Sequence, residues 1–334
     1  MTEVLVIGSL WFASSAVVST YANTAFLKEF DSPLAHTVVR FTCSALIGLL
    51  TAGLQPQRLQ LLRTLGLMWS LRLPAMLLLV ANLLNSVALR LSGITLCYVC
   101  KSGIPVFTVC LMSMQGQYFP AIVYASLMPT VLGVALASAS DLDFSLAGLV
   151  AALGSALSQT LLNITSKRLL KELHVSGRQA QFLMASCCAV AALPLYLLNS
   201  ERAPVEGKGT VLAHVASVPW SGAILVLAGV AYHVEYMLNF MFMPFVSPLA
   251  FSITDIARRL TIIVAGAIFF SKDLTALNVI GILLALGGVL WYSVLGTAPP
   301  QLPKTSPNIS SPAERRLSAS SRRDGTAERE EEEP

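Results

Sequence analysis

The sequence predicts an all-α membrane protein of ten transmembrane helices, laid out as two inverted five-helix repeats. Three observations predict it. The chain of 334 residues is 55% hydrophobic and only 12% charged, with a mean hydropathy of +0.69, whereas soluble domains are about a quarter charged. The charge deficit ends near Thr297, after which the chain turns polar. Before that point, apolar stretches of membrane-crossing length recur ten times, and ten spans suggest five-plus-five repeats with a solute site near the midplane.

A window of about 20 residues places the spans at 4–27, 32–54, 73–89, 92–114, 119–138, 144–166, 179–198, 219–241, 247–270 and 275–296. The first run starts by Val4 with no basic segment ahead of it and exceeds a signal-peptide core, so it reads as a retained helix. No plastid or mitochondrial transit peptide is expected in the chain as given. The third span is short, and Leu61–Leu71 either extends it or lies along the interface. Pro33, Pro74, Pro120 and Pro248 fall near helix starts, where a missing N–H costs little. Pro105 and Pro129 are interior and predict kinks in spans four and five.

Loop charges set the orientation. One side carries Arg58, Arg63, Arg72, Lys167, Arg168, Lys171 and Arg178, besides the basic residues of the tail. The other carries Lys28, Arg90, Arg202, Lys208 and Lys272, so both termini are expected to be cytosolic. Residues 1–298 form the transporter domain and 299–334 a disordered cytosolic tail, rich in Pro, Ser, Arg and Glu. The sequons at Asn163 and Asn308 should be unused, one within the membrane and one cytosolic. All six cysteines lie in apolar segments and read as small core residues.

Six charged residues fall inside spans: Arg40, Lys101, Glu235, Asp255, Arg258 and Arg259. A guanidinium at mid-membrane costs about 2.5–3.5 kcal/mol on insertion scales, so such groups face a polar cavity or bind an anion. Four cations against two carboxylates leave an excess of two positive charges, which matches a dianionic phosphate ester. Lys101 lies mid-span, one turn before Pro105, too deep to reach the surface easily. Arg258 and Arg259 lie about 100° apart around a helix, and each presents a fork suited to phosphate oxygens. Asp255, three and four residues earlier, is expected to orient one arginine and leave the other for substrate. Glu235 pairs with Arg40, Lys101 or an arginine, or carries a coupled proton. Arg40 is either a structural, charge-balancing group or a functional one. Asn82 and Asn85 share a face of span three, as hydrogen-bonders for substrate hydroxyls or as interhelical contacts.

Span nine and its lead-in read Tyr232-His233, Val246-Ser247-Pro248-Leu249, Arg258-Arg259-Leu260-Thr261-Ile262-Ile263-Val264 and Ile268-Phe269-Phe270. This resembles a YH…VSPLTH…KR-VVVI…FF block of the triose-phosphate translocator branch of the drug/metabolite transporter superfamily, which includes nucleotide-sugar transporters. The resemblance implies the drug/metabolite transporter fold. It places the family's phosphate-gripping Lys-Arg pair on Arg258 and Arg259, and the lysine of its K-x-x-x-P-x-F segment on Lys101 (KSGIPVF). Other positions depart. Arg258 replaces a lysine, Asn82 and Asn85 stand where a histidine and a threonine are found, and Leu162 replaces an arginine. Glu235 replaces a substrate-contacting tyrosine, with Tyr236 adjacent.

The implied protein is an alternating-access antiporter exchanging a phosphorylated small solute for phosphate. Lys101, Arg258 and Arg259 would hold the phosphate, while Asn82, Asn85, Glu235 and Tyr236 would shape the rest of the site. Alternatives are a nucleotide-sugar/nucleotide-monophosphate exchanger, or a non-transporting scaffold or sensor. The partners are the phosphorylated substrate and the lipid bilayer, not nucleic acid, with the chain a monomer or homodimer. No cofactor, metal or enzymatic activity is expected, since the spans hold no metal cluster and no nucleophile–base set. The expected location is the Golgi or ER membrane.

Overall fold

A computed structural model describes residues 2–53, 61–139, 144–173, 175, 177–199, 211–242, 248–269 and 275–295. The fold is all-helical. The elements are α1 (Thr2–Ala13), a π-helical stretch (Ser14–Ser19), α2 (Thr20–Phe30), α3 (Pro33–Gly53), α4 (Leu61–Ser70) and α5 (Arg72–Lys101). They continue as α6 (Ile104–Met114), α7 (Ala121–Ala139), α8 (Leu146–Leu173) and α9 (Gly177–Asn199). The last are α10 (Val211–Ser217), α11 (Pro219–Phe242), α12 (Pro248–Phe269) and α13 (Ala276–Leu295). Seven of the described helices are long and apolar enough to cross a membrane. α12 is as long as these, but Asp255, Arg258 and Arg259 interrupt its apolar face.

The prolines act as helix starters where the sequence places them. α3 begins at Pro33 and α12 at Pro248, while α7 begins just after Pro120. Pro129 lies inside a continuous α7. α8 runs beyond the expected end of span six, through the basic cluster to Leu173. The expected tail and its motifs lie outside the described residues.

α5 departs from the expected loop at 90–91. Helix continues through Arg90, and the backbone breaks instead at Gly93, with φ 72° and ψ −171°, a conformation that side chains with a Cβ resist. The two arms then double back. Twelve residues of straight helix measure about 18 Å, yet Cys97 Sγ lies 3.2 Å from Asn85 Oδ1 across the break.

The core is made by α5 packing on α8 and α9, α3 on α9 and α11, and α7 on α13. Polar side chains stitch these pairs: Ser155 Oγ donates to the Ala81 carbonyl at 2.8 Å, and Cys188 Sγ to the Ala75 carbonyl at 3.0 Å. Between α7 and α13 the backbones touch. A β-carbon at Gly133 would strike the backbone of Gly281 and Ala285, and one at Gly288 the backbone of Thr130. Asn278 Nδ2 and the Ala137 carbonyl close that seam at 3.0 Å. Leu50, Leu198, Val190 and Ile268 point outward, as a lipid-facing surface requires. All six cysteines are free thiols, as their apolar settings imply.

Candidate functional site

The site starts from one carboxylate on α12. Asp255 Oδ1 accepts from Arg258 Nε at 3.0 Å and Nη2 at 2.6 Å. Its Oδ2 accepts from Arg259 Nε at 2.9 Å and pairs with Nη2 at 2.7 Å. Spacings of three and four residues put both arginines within reach of Asp255, one on each oxygen. Asp255 therefore seats both guanidiniums, not one as the sequence suggests. The three side chains are mostly buried, at 13–18% exposure.

From this hub the arginines diverge. Arg258 Nη1 donates to Ser15 Oγ at 2.5 Å and approaches Glu235 Oε1 of α11 at 3.4 Å, and its guanidinium lies 5.1 Å from the Trp11 ring centroid. Glu235 in turn accepts from Ser15 Oγ at 2.8 Å and Ser19 Oγ at 2.6 Å. The π-helical stretch holds both serines, and such bulges recur at functional sites because the extra residue re-aims side chains. Of the partners open to Glu235, the structure selects Arg258.

Arg259 turns towards α5. Its Nη1 donates to the carbonyl oxygen of Lys101. In an uninterrupted helix that carbonyl would accept the N–H of residue 105, but Pro105 has none, and the helix breaks at Ser102-Gly103. The expected kink thus frees an acceptor for Arg259. Lys101 Nζ lies 5.2 Å from the Tyr98 ring centroid.

The remaining candidates form an adjoining polar layer. Asn82 is buried, donates to the Leu78 carbonyl at 2.9 Å and hydrogen-bonds the Tyr236 side chain. Asn85 takes the Cys97 thiol and so ties the two arms of α5. Tyr236 packs on Tyr232 with ring centroids 4.5 Å apart, and the Arg40 guanidinium lies 4.3 Å above the Tyr232 ring. Arg40 is 4% exposed, and its Nε and Nη1 have no hydrogen-bond partner among the described residues. Among the described residues its charge is met by an aromatic face and by no carboxylate.

Three residues escape the sequence reading: Ser15, Ser19 and Asn23. Asn23 Nδ2 donates to Ser19 Oγ at 3.3 Å, and its Oδ1 meets His36 Nε2 at 3.0 Å, extending the network from Glu235 to a fully buried imidazole. Their signal is a polar residue every four positions through an apolar first span.

The fold and site define a multi-pass helical membrane protein with a buried cationic centre. The chain belongs to the Triose-phosphate Transporter family, whose model matches residues 2–293, which bears out the resemblance carried by span nine and Lys101. It is 28% identical over 298 residues to glucose-6-phosphate/phosphate translocator 2, chloroplastic, of Arabidopsis thaliana, covering 85% of this chain and 72% of that one. It is 27% identical over 306 residues to phosphoenolpyruvate/phosphate translocator 1, chloroplastic, of Oryza sativa subsp. japonica, covering 89% and 72%. A match to the xylulose 5-phosphate/phosphate translocator, chloroplastic, of Arabidopsis thaliana is 27% identical over 221 residues, covering 66% and 53%. A solved crystal structure shares the fold at a TM-score of 0.56 and 15% identity, covering 88% of this chain and 98% of its own. These translocators are chloroplastic by name, so the expected Golgi or ER membrane has no counterpart among them.

Proposed function

We propose that the protein is an alternating-access carrier that exchanges phosphorylated small organic solutes for phosphate. The observation that carries this reading is the buried arginine pair of α12, gathered on Asp255 and joined through Arg259 to the Lys101 main chain of α5, in a chain of this family. These three cations hold the phosphate, with Arg forks on its oxygens and the lysine as a point charge. Asn82, Asn85, Glu235 and Tyr236 shape the space beside it, while Asp255 and Arg40 set the charge balance.

Ten crossings follow if the two arms of α5 are counted separately. The second arm then continues into α6, and α1, the π-helical stretch and α2 make one crossing. Two five-helix repeats related by inversion would then meet at the cationic centre. The loop-charge count puts both termini in the cytosol.

Purified protein in liposomes preloaded with inorganic phosphate tests the reading. Glucose 6-phosphate, xylulose 5-phosphate, phosphoenolpyruvate, a triose phosphate and a nucleotide sugar are offered outside. Uptake of at least one sugar phosphate, dependent on internal phosphate or accelerated by it, is expected. Uptake of the nucleotide sugar alone would redirect the substrate class, and uptake of none would end the proposal.

A further inference from the structure

We infer that exchange is not obligatory in this carrier, which also moves phosphorylated anions in net flux with no counter-substrate. The inference rests on Lys101, Arg258 and Arg259 being the phosphate site.

A site lined only by cations is uncompensated when empty. Closing it into a dry intermediate strips water from like charges, so the empty carrier stalls and each outward step needs an anion aboard. This site is differently built. Every guanidinium nitrogen of both arginines has an acceptor within the protein. On Arg258, Nε and Nη2 go to Asp255 and Nη1 goes to Ser15 and Glu235. On Arg259, Nε and Nη2 go to Asp255 and Nη1 to the Lys101 carbonyl.

The two carboxylates thus stand where a phosphate's oxygens would. They come from different helices, and Glu235 is further fixed by Ser15 and Ser19. The remaining cation of the phosphate site, Lys101, rests by the Tyr98 ring, its Nζ 5.2 Å from the ring centroid. The empty centre is held together by its own ion pairs, so it can close and reorient without a guest.

The same arrangement works against binding, because an incoming phosphate must displace both carboxylates from the guanidiniums. Neutralising a carboxylate therefore strengthens substrate binding while it slows return of the empty carrier. These two effects move KM and net flux in the same downward direction, which distinguishes them from simple damage to the site.

The experiment compares two modes in one preparation. Proteoliposomes take up radiolabelled inorganic phosphate with either unlabelled phosphate or only chloride inside, with the membrane potential clamped by potassium and valinomycin. Net uptake at an initial rate within about tenfold of exchange is expected. In Glu235→Gln and Asp255→Asn, which preserve shape, the exchange-to-net ratio is expected to rise about tenfold, which corresponds to about 1.4 kcal/mol on the empty step. Brisk exchange with no net uptake by the unaltered protein would overturn the inference and leave the proposed function standing. Net uptake whose ratio to exchange is unchanged in both variants would overturn the role given to the carboxylates. Failure of both modes with phosphate and with every sugar phosphate would end the proposed function and this inference together.

Discussion

Pro105 leaves the carbonyl of Lys101 without its helical donor, and the Arg259 guanidinium takes that acceptor. A helix break in one part of the fold is thereby wired to the arginine pair in another. Pro105→Ala would restore an N–H able to cap the carbonyl and would compete with Arg259. Arg259 then loses an acceptor that holds it in the empty centre, and a hydrogen bond involving a charged group is worth about 1.5–3 kcal/mol, so we expect net uptake to fall about tenfold relative to exchange. Transport assays in liposomes check this, with little change in thermal stability.

Lys101→Ala and Arg259→Ala are expected to abolish uptake while the protein still inserts, because removing a charge makes insertion easier. Arg258→Lys should retain transport with weaker binding, since it keeps the charge but cannot reach Asp255, Ser15 and Glu235 together. Uptake rates normalised to protein in the membrane measure both. Undiminished transport in Lys101→Ala would contradict the phosphate grip.

Ser19→Ala removes the shorter of the two serine hydrogen bonds to Glu235. A buried carboxylate deprived of a donor costs about 1–3 kcal/mol, so the unfolding midpoint in detergent should fall. Ser14→Ala is the control, because Ser14 Oγ bonds only back along its own helix, to the Trp11 carbonyl at 3.1 Å.

Arg40→Leu should keep or raise the unfolding midpoint. Nε and Nη1 have no partner to lose among the described residues, and an apolar side chain can still cover the Tyr232 ring. Arg40→Ala should lower it by leaving a void there. A large fall with leucine would reveal an anion held by the guanidinium.

The intrinsic features of single residues were legible in the sequence. Pro33, Pro120 and Pro248 mark helix starts because a residue without an N–H belongs there, and the buried cations are visible because charge is rare in apolar runs. Features set by three-dimensional neighbours were not. Arg90 suggests a loop, but α5 passes through it and its Nη2 meets Asp31 at 2.6 Å, leaving Gly93 to make the turn. Asp255 gathers both arginines through side-chain rotations that spacing alone does not dictate. Ser15 and Ser19 were hidden because serines are common in membrane helices, and a π-helical stretch leaves no compositional mark.

The glycine seam between α7 and α13 has a mechanical consequence. With main chain resting on main chain at Gly133, Gly281 and Gly288, neither helix has slack to slide past the other. The two behave as a single strut, and spin labels placed one on each should keep a constant separation throughout the working cycle. A bulky residue at Gly133 would pry that strut open.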